Sequence, residues 1–370
     1  MAGLYIHIPF CASRCIYCGF YSTTLLQLRQ KYVDAIIKEI QEVRKRKQEM
    51  AADSIATIYL GGGTPSQLTT EQLRQLFDAL YIYNKVEPDA EVTIEVNPDD
   101  VTVPYATALP RLGVNRVSMG AQTFNDERLR FLHRRHTAGQ VPLAVQQLRD
   151  AGIRNISVDL MYGFPGETLD DWQRDIDEVL KLNVEHISAY CLMVEEGTPL
   201  YRMDVEPADE DTEHAMYELL IDRLAAAGYE HYEISNFAKP GYRSRHNSSY
   251  WHNVPYIGLG AAAHSYDGAC RSWNVSDIRA YIAAIQRGEL PSEKEVLDDV
   301  THYNDRITTA LRTCDGLNLA TLPDRFSSYC LQEAQPFLRN GLLRLEDNHL
   351  TLTRQGLFVS DMVMSSLMMV

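Results

Sequence analysis

The 370-residue sequence contains no run of about 20 apolar residues, so a membrane-spanning helix is not expected. It also lacks the charged start and long apolar stretch of a secretory signal, running straight into a strand-like segment. Basic residues are outnumbered, 35 against 50 acidic, and the formal net charge of −15 argues against a general nucleic-acid or anionic-membrane surface. There is no low-complexity tract and no internal repeat. Cysteine is scarce and odd in number: Cys11, Cys15, Cys18, Cys191, Cys270, Cys314 and Cys330. An odd set clustered at one end, in a chain without an export signal, reads as metal ligands or reactive thiols rather than a disulfide framework. The expected compartment is the cytoplasm.

What is present starts with that cluster. The apolar run Leu4-Tyr-Ile-His-Ile8 leads into Cys11-Ala-Ser-Arg-Cys15-Ile-Tyr-Cys18, so one loop leaving a strand carries three thiols. Thiolates suit iron–sulfur clusters, zinc or copper. Structural zinc uses separated cysteine pairs, and no second pair follows here; His7 would be the conceivable fourth donor. A four-iron cubane fits better. Three cysteines leave one iron free for a non-protein ligand, a vacancy that points to chemistry rather than scaffolding.

The next signal is rhythm. Strand patterns at Leu4–Ile8, Ile55–Leu60, Glu91–Val96, Val114–Met119, Ile153–Leu160, His186–Tyr190 and Tyr229–Ile234 alternate with helical ones. The helical patterns are Gln27–Gln48, Glu71–Leu80, Gly139–Ala151, Leu169–Leu182 and Glu213–Ala227. Such alternation predicts an α/β fold with a parallel sheet. A partial TIM-type (β/α) barrel of about six strands is expected, with an open doubly wound sheet as the competing architecture. Residues 1–236 would form this barrel and 237–289 a loop-rich segment dense in aromatic residues and histidine. Residues 290–370 would form a smaller, mainly helical domain with strand-like alternation near Leu342–Thr353, its apolar end Met362–Val370 serving packing.

Polar and glycine-rich residues gather just after the strands: Gly61-Gly-Gly-Thr-Pro65, Glu95 with Asn97-Pro98, Gly120-Ala-Gln122, and Asp159 with Tyr162-Gly163. Parallel barrels place ligands at the C-terminal ends of their strands, so these groups and the cysteine loop point to one shared cavity. The triple glycine lacks the lysine and spacing of a phosphate loop or dinucleotide fingerprint. Its entropic cost favours a need for close backbone approach to a ligand, although a strand-to-helix turn would also use Gly and Pro.

Taken together, Tyr5-Ile-His-Ile-Pro-Phe-Cys11, the cysteine spacing and Gly61-Gly-Gly-Thr-Pro65 resemble the radical S-adenosylmethionine superfamily. Continuing through Glu95-Val-Asn-Pro98, Asn115-Arg-Val-Ser-Met-Gly-Ala-Gln122, Arg134-Arg-His136 and Val158-Asp-Leu-Met-Tyr-Gly-Phe-Pro165, the chain is similar to the oxygen-independent coproporphyrinogen III oxidase group. The resemblance implies that Cys11, Cys15 and Cys18 hold a [4Fe–4S] cluster whose open iron chelates S-adenosylmethionine. It also implies that Tyr5, Phe20, Gly62, Gly63 and Thr64 touch that cofactor, and that Glu95, Gln122, Arg134 and Asp159 fix its charged and hydroxyl groups. The chemistry is apt: an amine and a sulfonium want carboxylates, a carboxylate wants Arg, and a ribose diol suits Asp. Strand-end capping or a surface ion pair is the alternative for each of these residues alone.

The group contains oxidases and a haem-binding relative. Three features favour the relative. Phe20 stands where the oxidase has a fourth cysteine, only ten residues precede Cys11, and His246-Asn-Ser-Ser-Tyr-Trp251 matches the relative's His-Asn-x-x-Tyr-Trp element. Residue by residue, that element could be an aromatic plug with a hydrogen-bonded His; equally, imidazole is a standard haem ligand and flat rings suit a macrocycle. The resemblance implies haem binding through His246, Asn247, Tyr250 and Trp251. Arg243 and Arg245 are candidates for the propionates; His264 is a second candidate ligand, read rather as structural or cofactor-adjacent. Cys191 and Cys270 read by default as buried small hydrophobes. The expectation is a haem chaperone that passes haem to acceptor proteins, with a reductant such as flavodoxin or ferredoxin and no assigned catalytic residue. Oxidative decarboxylation of coproporphyrinogen III is the alternative, and a zinc-stabilised protein without redox role the third.

Overall fold

A computed structural model describes residues 2–47 and 54–370. Six strands run parallel in chain order: β1 (Ala2–Ile8), β2 (Ile55–Gly62), β3 (Val86–Val96), β4 (Arg116–Gln122), β5 (Asn155–Tyr162) and β6 (His186–Cys191). Residues of β1, β2, β4 and β5 are buried nearly throughout, as befits a sheet covered on both faces. The covering helices are α1 (Arg29–Lys47), α2 (Thr70–Tyr83), α3 (Val103–Arg111), α4 (Asp126–Phe131), α5 (Gln140–Asp150), α6 (Leu169–Lys181) and α7 (Glu210–Ala226). Capping boxes start two of them, Thr69 with Gln72 at α2 and Thr168 with Asp171 at α6. Gln48, the expected last residue of the first helix, lies outside the described residues.

The sheet does not close. Beyond β6 lies an antiparallel pair, β7 (Glu230–Glu233) and β8 (Asn236–Ala238), with β8 against β6. The seventh expected strand, β7, follows α7 and keeps the direction of β6, but the turn after Glu233 folds β8 back into the place beside β6, so β7 is an edge element rather than the next stave.

The stretch 237–274 also differs from the expected loop. It folds into α8 (Arg245–Trp251), then β9 (Tyr256–Leu259), β10 (His264–Tyr266) and β11 (Cys270–Asn274). Strand β9 pairs parallel with β1, and β10 and β11 extend the sheet antiparallel. These strands are only three to five residues long, too short for clear period-2 alternation. Helix α9 (Ile278–Gln286) packs beside α1, and the fully exposed β12 (Ser292–Val296) forms the outer edge.

The C-terminal region has its own core, built on Tyr303, Ile307, Leu311, Phe326, Cys330 and Val363. It combines α10 (Asp299–Ala310), β13 (Leu317–Asn318), α11 (Asp324–Arg339), β14 (Leu343–Glu346), β15 (His349–Leu352), α12 (Arg354–Phe358) and α13 (Ser360–Leu367). The alternation near Leu342–Thr353 is the β14–β15 hairpin. Among the described residues no helix is long and apolar enough to cross a membrane.

Candidate functional site

The cysteine loop is fastened at both ends and in the middle. Its ends meet through Cys11 N–H donating to the Thr23 carbonyl at 2.9 Å and Thr23 N–H donating to that of Pro9 at 2.7 Å. Its middle is pinned by Ile16, only 2% exposed, which packs with Leu132, Met161, Phe164, Leu192 and Leu200. Ile16 N–H donates to the Leu132 carbonyl and Leu200 N–H to that of Ile16, so the anchor is both apolar and hydrogen-bonded. Cys11, Cys15 and Cys18, none in a disulfide, are thereby held over the C-terminal ends of the parallel strands.

Beneath them lies a cavity of about 580 Å³, within the range of small-molecule sites, roughly 300–1,000 Å³. Thr64 stands 3.4 Å from the Cys11 Sγ, and the Arg134 guanidinium 3.7 Å from that of Cys15. Arg134 also donates to the Gly120 carbonyl at 2.5 Å and to the Asn97 side chain, while its Nε is buried without a partner. Glu95 accepts from Tyr59 at 2.8 Å and from the Gly62 backbone at 3.1 Å; Asp159 accepts from Ser118 at 3.2 Å. Burial pushes Glu95 up to about 7, with the charge of Asp159 adding to the rise and Arg116 opposing it, and burial raises Asp159 against the pull of Arg116 and Arg134. Gln122 completes the wall at φ 68°, a left-handed conformation rare outside glycine, at the irregularity that ends β4.

The triple glycine serves close approach, but to protein rather than to empty space. A Cβ on Gly62, whose φ is +113°, would lie 2.5 Å from the His7 ring, and one on Gly63 would lie 2.6 Å from the Pro9 backbone. Side chains there would push β2 off β1 and displace the cysteine loop that Pro9 starts.

Sequence reasoning passed over Arg116. It sits in β4 only 1% exposed, lines the cavity beside Ser118, and leaves Nε and Nη1 without partners. Its charge acts on both Glu95 and Asp159. A cation within the expected strand Val114–Met119 was the available signal.

Tyr5 and Phe20 are placed differently from the other expected cofactor residues. Tyr5 lines a neighbouring cavity of about 390 Å³, bounded by His7, Gly19, Phe20, Tyr21, Tyr250, Tyr256, Ala262 and His264. Its hydroxyl meets His7 Nδ1 at 3.0 Å, and His7 Nε2 donates to the Tyr21 carbonyl at 2.9 Å. Phe20 belongs to the wall common to both cavities and is 70% exposed.

The His-Asn-x-x-Tyr-Trp element is helix α8, seated beneath the sheet interior. His246 is 1% exposed and stacks on Tyr59 with ring centroids 5.1 Å apart. Nδ1 meets the Thr57 hydroxyl and Nε2 that of Tyr250, both at 2.8 Å. Burial, with Arg116 nearby, lowers the imidazole to about 3. Asn247 reaches the cluster-side cavity and Tyr250 the aromatic one, whereas Trp251 lies under Arg312, 4.8 Å from its centroid. Arg243 pairs with Glu230 at 3.1 Å, and Arg245 with Asp89 at 3.5 Å. Cys191 rims the cluster-side cavity, and Cys270 is buried in β11.

The donor set fits a cubane and its cofactor. Three free thiols on one anchored loop match the thiolate ligation of an iron–sulfur cluster. Below it, two partly buried carboxylates, a partly unpaired Arg134 and a glycine-backed strand end provide for an amine, a carboxylate and a ribose.

Residues 5–179 match the radical SAM superfamily, and residues 297–359 the HemN C-terminal domain. The chain is 35% identical over 373 residues to the haem chaperone HemW of Mycobacterium tuberculosis, covering 99% of this chain and 94% of that protein. It is 34% identical to the haem chaperone HemW of Bacillus subtilis, covering 98% of each. The solved structure of coproporphyrinogen III oxidase (HemN) from Escherichia coli superposes with a TM-score of 0.86 over 99% of this chain and 89% of that one, at 22% identity. That likeness shows the shared fold. Near-complete coverage by relatives of this similarity carries the classification: the chain belongs to the HemW family of the radical SAM superfamily.

Proposed function

We propose that this protein binds haem and transfers it to haem-requiring acceptor proteins, on a scaffold that carries a [4Fe–4S] cluster and S-adenosylmethionine. The observation that carries this is the end-to-end similarity to proteins described as haem chaperones. The oxidase shares the fold at only 22% identity. Phe20, at the position of the oxidase's fourth cysteine, supports the same reading.

In this proposal Cys11, Cys15 and Cys18 hold the cluster. Gly62, Gly63, Thr64, Glu95, Gln122, Arg134 and Asp159 hold the cofactor, with Phe20 at the rim and Tyr5 behind. The bound cofactor supplies redox-dependent sulfonium chemistry; the chain's own task is to orient it and keep water out. Helix α8, with His246, Asn247, Tyr250 and Trp251, forms the haem-side element. Ligation of iron by His246 would require its ring to leave Thr57 and Tyr250. A flavodoxin- or ferredoxin-type reductant and a cytoplasmic location complete the proposal.

One anaerobic experiment tests it. The reconstituted protein is offered haem and, separately, coproporphyrinogen III with S-adenosylmethionine and a reductant. Stable haem uptake without protoporphyrinogen formation is the expected result; protoporphyrinogen at catalytic rates would replace the chaperone with the oxidase.

A further inference from the structure

We infer that the aromatic cavity beside the cluster loop is the haem groove and that His264 is its iron ligand. The inference deepens the haem-handling function proposed above and rests on it. The cavity brings together rings from three separate parts of the fold: Tyr5 and His7 from β1, Phe20 and Tyr21 from the end of the cysteine loop, and Tyr250, Tyr256 and His264 from the α8–β10 stretch. Tyr250 and Tyr256 meet edge to face at 4.7 Å, so the wall is rigid as well as aromatic. A flat, apolar macrocycle with a metal at its centre requires such a wall and one nitrogen donor.

The three imidazoles in and around the groove are not equivalent. His7 has both nitrogens engaged, with Tyr5 and Tyr21. His246 lies behind Tyr250, also with both engaged. His264 is exposed at the rim, and among the described residues its ring nitrogens make no hydrogen bond or ion pair. Partial desolvation at the cavity wall and the nearby Arg271 both disfavour its protonation, favouring the neutral form that binds metals.

The ring is nonetheless held in place. It lies against Trp273, its partner across the β10–β11 ladder, with centroids 6.0 Å apart. The turn before it is tightly set: Ala262 takes φ +61°, and a Cβ on Gly258 would lie 2.0 Å from the His264 carbonyl oxygen. Arg271, facing Tyr266 across the ladder and paired with Asp305, acts on His264 and offers a cation near the rim for a propionate.

A rim ligand also suits delivery. A groove that leaves the iron ligand exposed lets an acceptor reach the metal without unfolding the donor, which a histidine buried like His246 would not permit.

The test uses the full chain with its cluster reconstituted, and compares ferric haem with metal-free protoporphyrin IX. His264→Ala is expected to weaken haem binding roughly tenfold or more and to change the Soret band. It should leave protoporphyrin IX uptake, read by fluorescence, within about twofold, because that ligand has no iron to lose. Added imidazole should restore the wild-type Soret spectrum in His264→Ala, which a merely structural role would not produce. Tyr256→Ala should weaken both ligands. Unchanged haem affinity and spectrum in His264→Ala would overturn the site while leaving the chaperone function standing. Absence of haem uptake by the unaltered protein would instead overturn the function on which the site rests.

Discussion

The two cavities share the Gly19–Phe20 wall yet differ in almost every other respect. The cluster-side cavity is built from polar and charged groups: the three thiols of the loop with Cys191 at the rim, partly buried Glu95 and Asp159, and two arginines with unpaired nitrogens. The aromatic cavity contains no Asp, Glu, Lys or Arg among its lining residues. One chain thus keeps two recognition chemistries a single side chain apart. The first suits a small zwitterion that must be gripped through its charges, since buried charges persist only when a partner arrives. The second suits a neutral plane recognised by stacking. The contrast also separates what the superfamily needs from what this member adds.

The largest effects should fall on the charged side alone. Replacing Cys11, Cys15 or Cys18 by alanine is expected to abolish iron–sulfur reconstitution, measured by bound iron and sulfide. Cys191→Ala and Cys270→Ala should retain it, although Cys191 rims the same cavity. A cluster lost equally in Cys191→Ala would break the assignment of ligands to the loop.

Next in size is Glu95→Gln. Losing a charge-assisted hydrogen bond of about 1.5–3 kcal/mol should weaken S-adenosylmethionine binding by roughly 10- to 100-fold. Burial sets Glu95 near 7 in the free protein, so the ionised form that attracts an amine or sulfonium is depleted as pH falls below 7. Affinity should therefore drop from pH 8 to pH 6 (about two units spanning that value) and binding should release protons, as calorimetry in buffers of different ionisation enthalpy would detect. Glu95→Gln should flatten the pH dependence; a profile as steep as wild type would assign it to another group.

Much of the charged side was legible because radical chemistry on a cofactor needs polar residues at strand ends, and those residues interrupt apolar strands visibly. The cysteine loop, Glu95, Gln122, Arg134 and Asp159 all line the predicted cavity. Two of its supports were not legible. Ile16 looks like any apolar residue between cysteines, and only tertiary packing shows that it pins the loop. Arg116 stands out as a cation within the expected strand, but its charge alone does not show that it lines the cavity instead of meeting solvent. The aromatic side was harder, since β9, β10 and β11 are too short for a periodic signal and the first of them pairs with a strand some 250 positions earlier. Nor could spacing show that the motif histidine His246 is buried with both nitrogens engaged while His264 is not.

His246→Ala sharpens that last difference. It leaves the Thr57 and Tyr250 hydroxyls without their partner and opens a void under Tyr59, at a cost of about 1–3 kcal/mol in unfolding free energy. The pH dependence has a definite sign. The folded imidazole sits at about 3 against an ordinary 6.5, so below 6.5 the unfolded chain takes up a proton that the folded chain refuses. Stability from this group is complete above 6.5 and is lost by up to about 1.4 kcal/mol per pH unit as pH falls toward 3. Urea unfolding of wild type and His246→Ala at two pH values should show a gap that narrows in acid. A constant gap would place the titration elsewhere.

The smallest effect is expected at the shared wall. Phe20 is 70% exposed, so truncation removes little buried area, and Phe20→Ala should shift the urea midpoint by no more than about 0.5 kcal/mol of stability. The Phe20 backbone N–H, which faces the Cys18 thiol, is untouched by the change, so the cluster's spectrum should be unaltered. What remains for an exposed ring between two cavities is contact with whatever occupies them, and the two occupants can be titrated separately in the same variant. Weakened porphyrin binding with unchanged S-adenosylmethionine affinity would assign the ring to the aromatic side; the reverse would return it to the cofactor. A large loss of stability would show instead that Phe20 packs as core, and that the wall is one continuous structure rather than a boundary between two chemistries.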